Sequence, residues 1–138
     1  MVASTDPARQ ITTETLLDGM ARRGLSDRGL AVRALRATLL VLGECFLDDE
    51  AFALAEILPA ELARVIDNVE HDGDRGTADL YHRVGEHART SAAHATEHAQ
   101  IVLAVLGEVI DQDRRTRLAR ALPEQAAGVL LGLGAAAR

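Results

Sequence analysis

The sequence predicts an all-α protein of two tandem four-helix repeats, packed as one pseudo-twofold helical bundle. Three observations predict it. Apolar residues recur at spacings of three and four, and no stretch alternates apolar with polar residues as a half-buried strand does. The chain matches itself when shifted by 64 residues. Two segments, ATLLVLG at 37–43 and IVLAVLG at 101–107, are apolar nearly all round, the mark of a helix buried on every side.

The self-match runs without a gap from residue 16 to residue 132. It lays Leu42-Gly43-Glu44 on Leu106-Gly107-Glu108 and Leu58-Pro59 on Leu122-Pro123. Leu16 falls on Leu80, Leu39 on Leu103, Leu54-Ala55 on Leu118-Ala119, and Val65 on Val129. Repeat one is placed at about 12–68 and repeat two at about 78–132, with a polar glycine-containing linker over 69–77 and a loose tail over 133–138. The whole chain, 1–138, reads as a single domain.

In the first repeat, Ile11, Leu16, Leu17 and Met20 share one face of a helix over about 12–23, which Gly24 ends. Ser26 is the expected N-cap of a second helix, whose Leu35, Leu39, Leu42 and Phe46 stand four, three and four apart. Asp48 is the expected cap of a short third helix carrying Phe52, Ala55 and Leu58. Pro59 suits the first position of a fourth, where its missing N–H costs nothing, and Leu62, Val65 and Ile66 form that helix's buried face. The second repeat follows suit. Thr77 caps a helix through Ala88, and Thr90 or Ser91 a longer one over about 92–110. Asp111 or Asp113 starts the third helix and Pro123 the fourth. The two apolar helices form the central pair. Gly43 and Gly107, each costing about 1 kcal/mol in a helix interior, point to a close crossing where a Cβ would clash.

Composition narrows function by exclusion. All 15 basic residues are Arg, so a Schiff-base or phosphate-loop lysine does not exist here. The formal net charge is -6, with no Trp, one Tyr and two Phe, so nucleic acid is not an expected partner. Cys45 is the one cysteine, which rules out an internal disulfide and reads as a core thiol. The acids after it, Asp48, Asp49 and Glu50, are expected to raise its pKa. Residues 1–10 have no apolar core and no basic start, and the longest apolar run, 37–43, is far short of the ~20 residues of a membrane helix. A cytoplasmic protein with no membrane partner is expected. No glycine-rich phosphate loop is found, and Ser26 and Ser91 read as caps rather than nucleophiles.

Histidine and charge offer the candidate sites. Four of the five His lie between 82 and 98. His94 and His98 stand i,i+4 on one helix face and could chelate a transition metal, with His87 or Glu97 completing the set. The cluster, His82 included, could also sense pH. Arg22, Arg33 and Arg36 lie in a basic stretch, 22–36, followed by an acidic one, 44–61; Arg114, Arg115, Arg117 and Arg120 form a second basic patch. Arg22, Arg33, Arg36, Arg114 and Arg117 are the candidate interaction residues. Equivalent positions invert charge: Arg22 against Glu86, Arg33 against Glu97, Glu50 against Arg114, Glu56 against Arg120. Facing each other near a pseudo-twofold axis, such pairs would favour one docking of the repeats.

The double Leu-Pro step, the apolar helix ending in Leu-Gly-Glu and the two-copy layout resemble a bacterial family of uncharacterised all-helical proteins, domain of unknown function 2267. The resemblance covers about 14–132. The family pattern pairs a short amphipathic helix with a long Ala/Leu helix, then a short acidic helix ending in Leu-Pro; the His98-Ala99 step also fits. Where members often begin each copy with Phe-Leu, this chain has Leu16-Leu17 and Leu80-Tyr81. The resemblance implies an all-α fold and carries no activity, cofactor or catalytic residue. The reading is a non-enzymatic helical interaction or accessory module of a bacterial regulatory or stress-type system. The alternative is a metal- or small-ligand-binding protein using the His82–His98 cluster. A homodimer stays open, because the central helix pair can be completed within one chain or across two.

Overall fold

A computed structural model describes residues 11–69 and 80–132. Among them are eight helices and no strand. These are α1 (Thr13–Arg22), α2 (Arg28–Cys45), α3 (Asp48–Ala55), α4 (Ala60–Asp67), α5 (Leu80–Ala88), α6 (Ala92–Val109), α7 (Gln112–Ala119) and α8 (Glu124–Leu130). The expected cap Thr77 lies outside the described residues. Among the described residues no helix is long and apolar enough to cross a membrane.

Local chemistry sets the helix ends. Thr12 caps α1, its side chain accepting from the Thr15 N–H at 3.0 Å. The chain leaves α1 through Gly24 at φ +106, with the Leu25 N–H donating to the Met20 carbonyl and the Gly24 N–H to that of Ala21. That pairing satisfies two carbonyls the helix end would otherwise orphan. The corresponding turn after α5 uses Arg89 at φ +58, a conformation an L side chain adopts only at a cost.

Four helix starts differ from expectation by one residue. Asp27, not Ser26, caps α2, because its Oδ1 reaches the Leu30 N–H at 3.0 Å. Leu47, not Asp48, occupies the N-cap of α3 with no side-chain bond, and Asp48, Asp49 and Glu50 fill the first turn, where carboxylates favour the positive end of the helix dipole. Pro59 and Pro123 are N-caps rather than first helical residues: their ψ of 155 and 152 is extended. Ser91 and Asp111 cap α6 and α7 through their side chains.

Helices α2 and α6 pack on each other at the centre, as their all-round apolarity requires. Leu35, Leu39 and Leu42 of α2 and Val102, Leu103 and Leu106 of α6 are at most 1% exposed. Helix α4 closes over α2 and α8 over α6. The first helices cross over: α1 contacts α6 as well as α2, and α5 contacts α2 as well as α6. Helices α3 and α7 meet at the far edge.

Both interior glycines sit at close crossings. A Cβ on Gly107 would stand 2.1 Å from the Leu130 carbonyl oxygen of α8. A Cβ on Gly43 would stand 2.8 Å from Val69 Cγ2 and 3.2 Å from the Ile66 carbonyl oxygen of α4. The backbones approach to distances no larger residue permits.

Candidate functional site

The α3–α7 edge holds the largest exposed apolar side chains. Phe52 is 66% exposed and Leu47 is 56% exposed, whereas Phe46, at the end of α2, is 1% exposed. Leaving a Phe in water forfeits about 2 kcal/mol of burial. The short third helix has two apolar faces to choose from. Packing buries Ala51, Leu54 and, past its end, Leu58, which turns Phe52 outward. The sequence reading set Phe52 with Ala55 and Leu58 as the apolar residues of this helix, where the structure leaves Phe52 exposed, and it did not single out Leu47. The 51/54/58 spacing was the available signal, since it competes with the 52/55 face.

Arg114 ties the two helices together. Its Nε donates to the Ala53 carbonyl at 3.1 Å, one Nη to Glu56 at 2.6 Å and the other to Asp111 at 2.8 Å. These hydrogen bonds hold the Asp111 carboxyl below the usual carboxylate range and push Arg114 up. Two clefts flank the seam. One, of about 320 Å³, is lined by Phe52, Ala53, Glu56, Asp111, Asp113, Arg114 and Arg117. The other, of about 330 Å³, is lined by Leu47, Glu50, Arg117, Arg120 and Ala121. Arg117 thus borders both, and neither its side chain nor that of Arg120 has a hydrogen-bond or ion-pair partner among the described residues. Glu50 Oε1 is buried with no hydrogen-bond partner among the described residues.

The inverted charges do not meet position for position. The ion pair that forms is Glu56–Arg114, not Glu56–Arg120 or Glu50–Arg114. Arg33 donates to the Ala88 carbonyl at 3.0 Å rather than to Glu97, and Glu86 lies 3.4 Å from His82 rather than beside Arg22. Helix ends crossing at an angle bring together residues offset along each helix, not residues of equal register. Arg22 and Arg36 are exposed and make no contact with a carboxylate among the described residues. The glutamates of the two Leu-Gly-Glu segments join the halves of the chain instead: Glu44 pairs with Arg83 of α5, and Glu108 with Arg23 after α1.

The histidines spread apart. His94 and His98 stack with ring centroids 5.8 Å apart and planes 5° apart. They line a cleft of about 300 Å³ with Asp27, Glu97, Leu25, Leu30 and Ile101. His87 is exposed and does not join them: among the described residues no group of three or more His, Cys, Asp or Glu is arranged to hold a metal. Helix α5 carries His87 on a side chain that leaves the bundle surface, while the His94–His98 cleft opens toward the α1–α2 turn.

Cys45 is fully buried. Burial pushes its thiol up, and Arg83, whose Nη1 lies 3.8 Å from Sγ, pulls it down by less. Desolvation, not the acids of α3, is the main cause; of the carboxylates, Glu44 is the one that contributes.

No curated protein and no solved structure matches this chain. The family model described as "Uncharacterized conserved protein (DUF2267)" matches residues 12–129. With α1 to α7, nearly all of α8 and both Leu-Pro steps lying inside the matched span, the chain belongs to the DUF2267 family.

Proposed function

We propose that this chain is a non-enzymatic helical interaction module, built from two copies of one four-helix unit, and that it docks a protein partner on the α3–α7 face. The observation that carries the reading is the exposure of Leu47 and Phe52. At the positions 64 residues on, the second half has Asp111 and Thr116. The fold therefore accepts polar residues at both places, and the apolar ones are not there for packing. Exposed aromatics beside arginines are the composition of interface hot spots.

The tandem reading draws support from register. Helices α2 and α6 have 18 residues each, α3 and α7 have 8 each, and both pairs start 64 residues apart. Gly43 and Gly107 meet equivalent helices, and the two seam clefts share equivalent lining positions. On a pseudo-twofold axis between α3 and α7, the charge inversion makes both crossed contacts complementary: Glu56 with Arg114, and Glu50 across its cleft from Arg120.

The test is a tagged pull-down from the source organism's lysate, with wild type and Phe52→Glu, with and without chelator. A stoichiometric partner that survives chelator and is lost with Phe52→Glu is the expected result. A partner retained by Phe52→Glu overturns the assignment of the face. The stacked His94 and His98, which line a cleft with Asp27 and Glu97 but form no group of three metal ligands with them, favour a second reading, a small-ligand site in that cleft or a transition metal held by the two imidazoles alone. Metal copurifying with wild type, stripped by chelator and absent from His94→Ala/His98→Ala, would establish it in place of the first.

A further inference from the structure

We infer that the occupant of the α3–α7 face is a second copy of this chain, with α3 of each copy lying on α7 of the other. The inference rests on the docking reading above and names the partner. The face is divided by charge along its seam. Helix α3 presents the exposed Asp48 and Asp49, with the half-buried Glu50 beside them and Glu56, just after its end, already held by Arg114. Helix α7 and its C-terminal turn present the exposed Arg117 and Arg120, with the half-buried Arg115 beside them and Asp113 confined to the first turn of α7; none of the three arginine side chains has a partner among the described residues.

A uniformly acidic partner would be repelled by α3, and a uniformly basic one by α7. The face calls for a partner with both signs side by side in the opposite order. The chain itself has that pattern. A two-fold axis along the α3–α7 seam places α3 of one copy over α7 of the other, and the reverse contact follows by symmetry. Acids then meet arginines twice, and any other superposition of the two faces sets like charges together.

The apolar residues fit the same rotation. It carries Phe52 and Leu47 of one copy toward α7 of the other, where the partnerless Arg117 and Arg120 can stack on an aromatic ring and close the seam clefts. A helix of eight residues is about 12 Å long, so the patch is at the small end of stable interfaces. The dimer is therefore a weak one, with Kd on the order of 10 μM, and salt weakens it.

Sedimentation over a concentration series tests this with four proteins: wild type, Phe52→Glu, an acid-swapped variant (Asp48→Arg/Asp49→Arg) and a base-swapped variant (Arg117→Glu/Arg120→Glu). Circular dichroism confirms the fold of each. Wild type should dimerise. Phe52→Glu should bind itself at least ~30-fold more weakly, as loss of an aromatic anchor implies. Each charge variant should be monomeric alone, and an equimolar mixture of the two should form a heterodimer, since both contacts are complementary again. A wild type that stays monomeric at about twenty times the expected Kd overturns the inference, as does a dimer unaffected by Phe52→Glu or a mixture that stays monomeric. A monomeric wild type whose lysate partner is nonetheless lost with Phe52→Glu would remove self-association and leave the docking reading standing. A monomer that captures nothing through this face would remove both.

Discussion

Glu44, at the end of the central helix α2, is ion-paired with Arg83 of α5, with side chains only 21% and 14% exposed. Its equivalent, Glu108, pairs with Arg23 at 52% and 33%. The same motif residue thus fastens each half to the other half's first helix, once in a sheltered setting and once in an open one. Arg83 reaches Glu44 from within α5, whereas Arg23 reaches Glu108 from the turn that follows α1.

Sheltered charges lose water, so breaking the sheltered pair should cost more. A double-mutant cycle with Glu44→Gln and Arg83→Met is expected to show coupling of about 1–3 kcal/mol. The same cycle at Glu108 and Arg23 should give under about 1 kcal/mol, screened by solvent. Urea denaturation of the seven proteins measures both, and equal couplings would refute the difference in environment.

The glycine crossings should respond unequally to a methyl group. Gly107→Ala drives a Cβ into a backbone oxygen of α8, which cannot move without the helix, and is expected to destabilise by about 3 kcal/mol. At Gly43 the nearest atom is the end of the Val69 side chain. Relief there, and the roughly 1 kcal/mol gain in helix propensity, should hold the net change for Gly43→Ala to about 1 kcal/mol. Chemical denaturation of the two variants reads this directly, and the reverse order would mean that the α6–α8 crossing yields more easily than its geometry implies.

The Cys45 thiol should be inert in the native protein. Its pKa is raised by burial, so the folded state disfavours the thiolate. The associated stability is fully present below the unfolded thiol pKa of about 8.5 and is lost as pH rises toward the higher folded value. Iodoacetamide labelling at pH 8 should be at least ~100-fold slower in buffer than in denaturant, because it waits on opening of the fold. Equal rates would place Cys45 at the surface.

Acid should weaken the fold through named carboxylates. Hydrogen bonds from Arg28, Thr13 and Arg114 lower the pKa of Glu14, Glu61 and Asp111 respectively. Groups lowered in the folded state contribute stability that is complete above the ordinary carboxyl pKa of about 4 and is lost as pH falls through the folded values. Melting temperatures measured from neutral pH down to about pH 2 should therefore decline below pH ~4. Asp111→Asn, which keeps a capping side chain without the charge, should decline less steeply. An unaltered slope would show that the Arg114 contact does not shift Asp111.

By itself the sequence determined the helices, the central pair and the tight crossings. Helix periodicity, caps, proline and glycine act over a few residues, so they can be read from neighbours in the chain; the misplaced caps at Ser26, Asp48 and Pro59 were each off by one position. Arg114 and Arg117 of the candidate face were legible as a basic patch. Tertiary structure decided the rest. Whether an eight-residue helix buries Ala51 and Leu54 or Phe52 depends on the angle at which α4 and α7 meet it, because both faces are apolar enough. Which arginine meets Glu44, Glu56 or Glu108 depends on how the two halves dock, and α1 and α5 cross over to make those contacts. Long polar side chains choose partners by distance in space, and no short-range pattern along the chain encodes that distance.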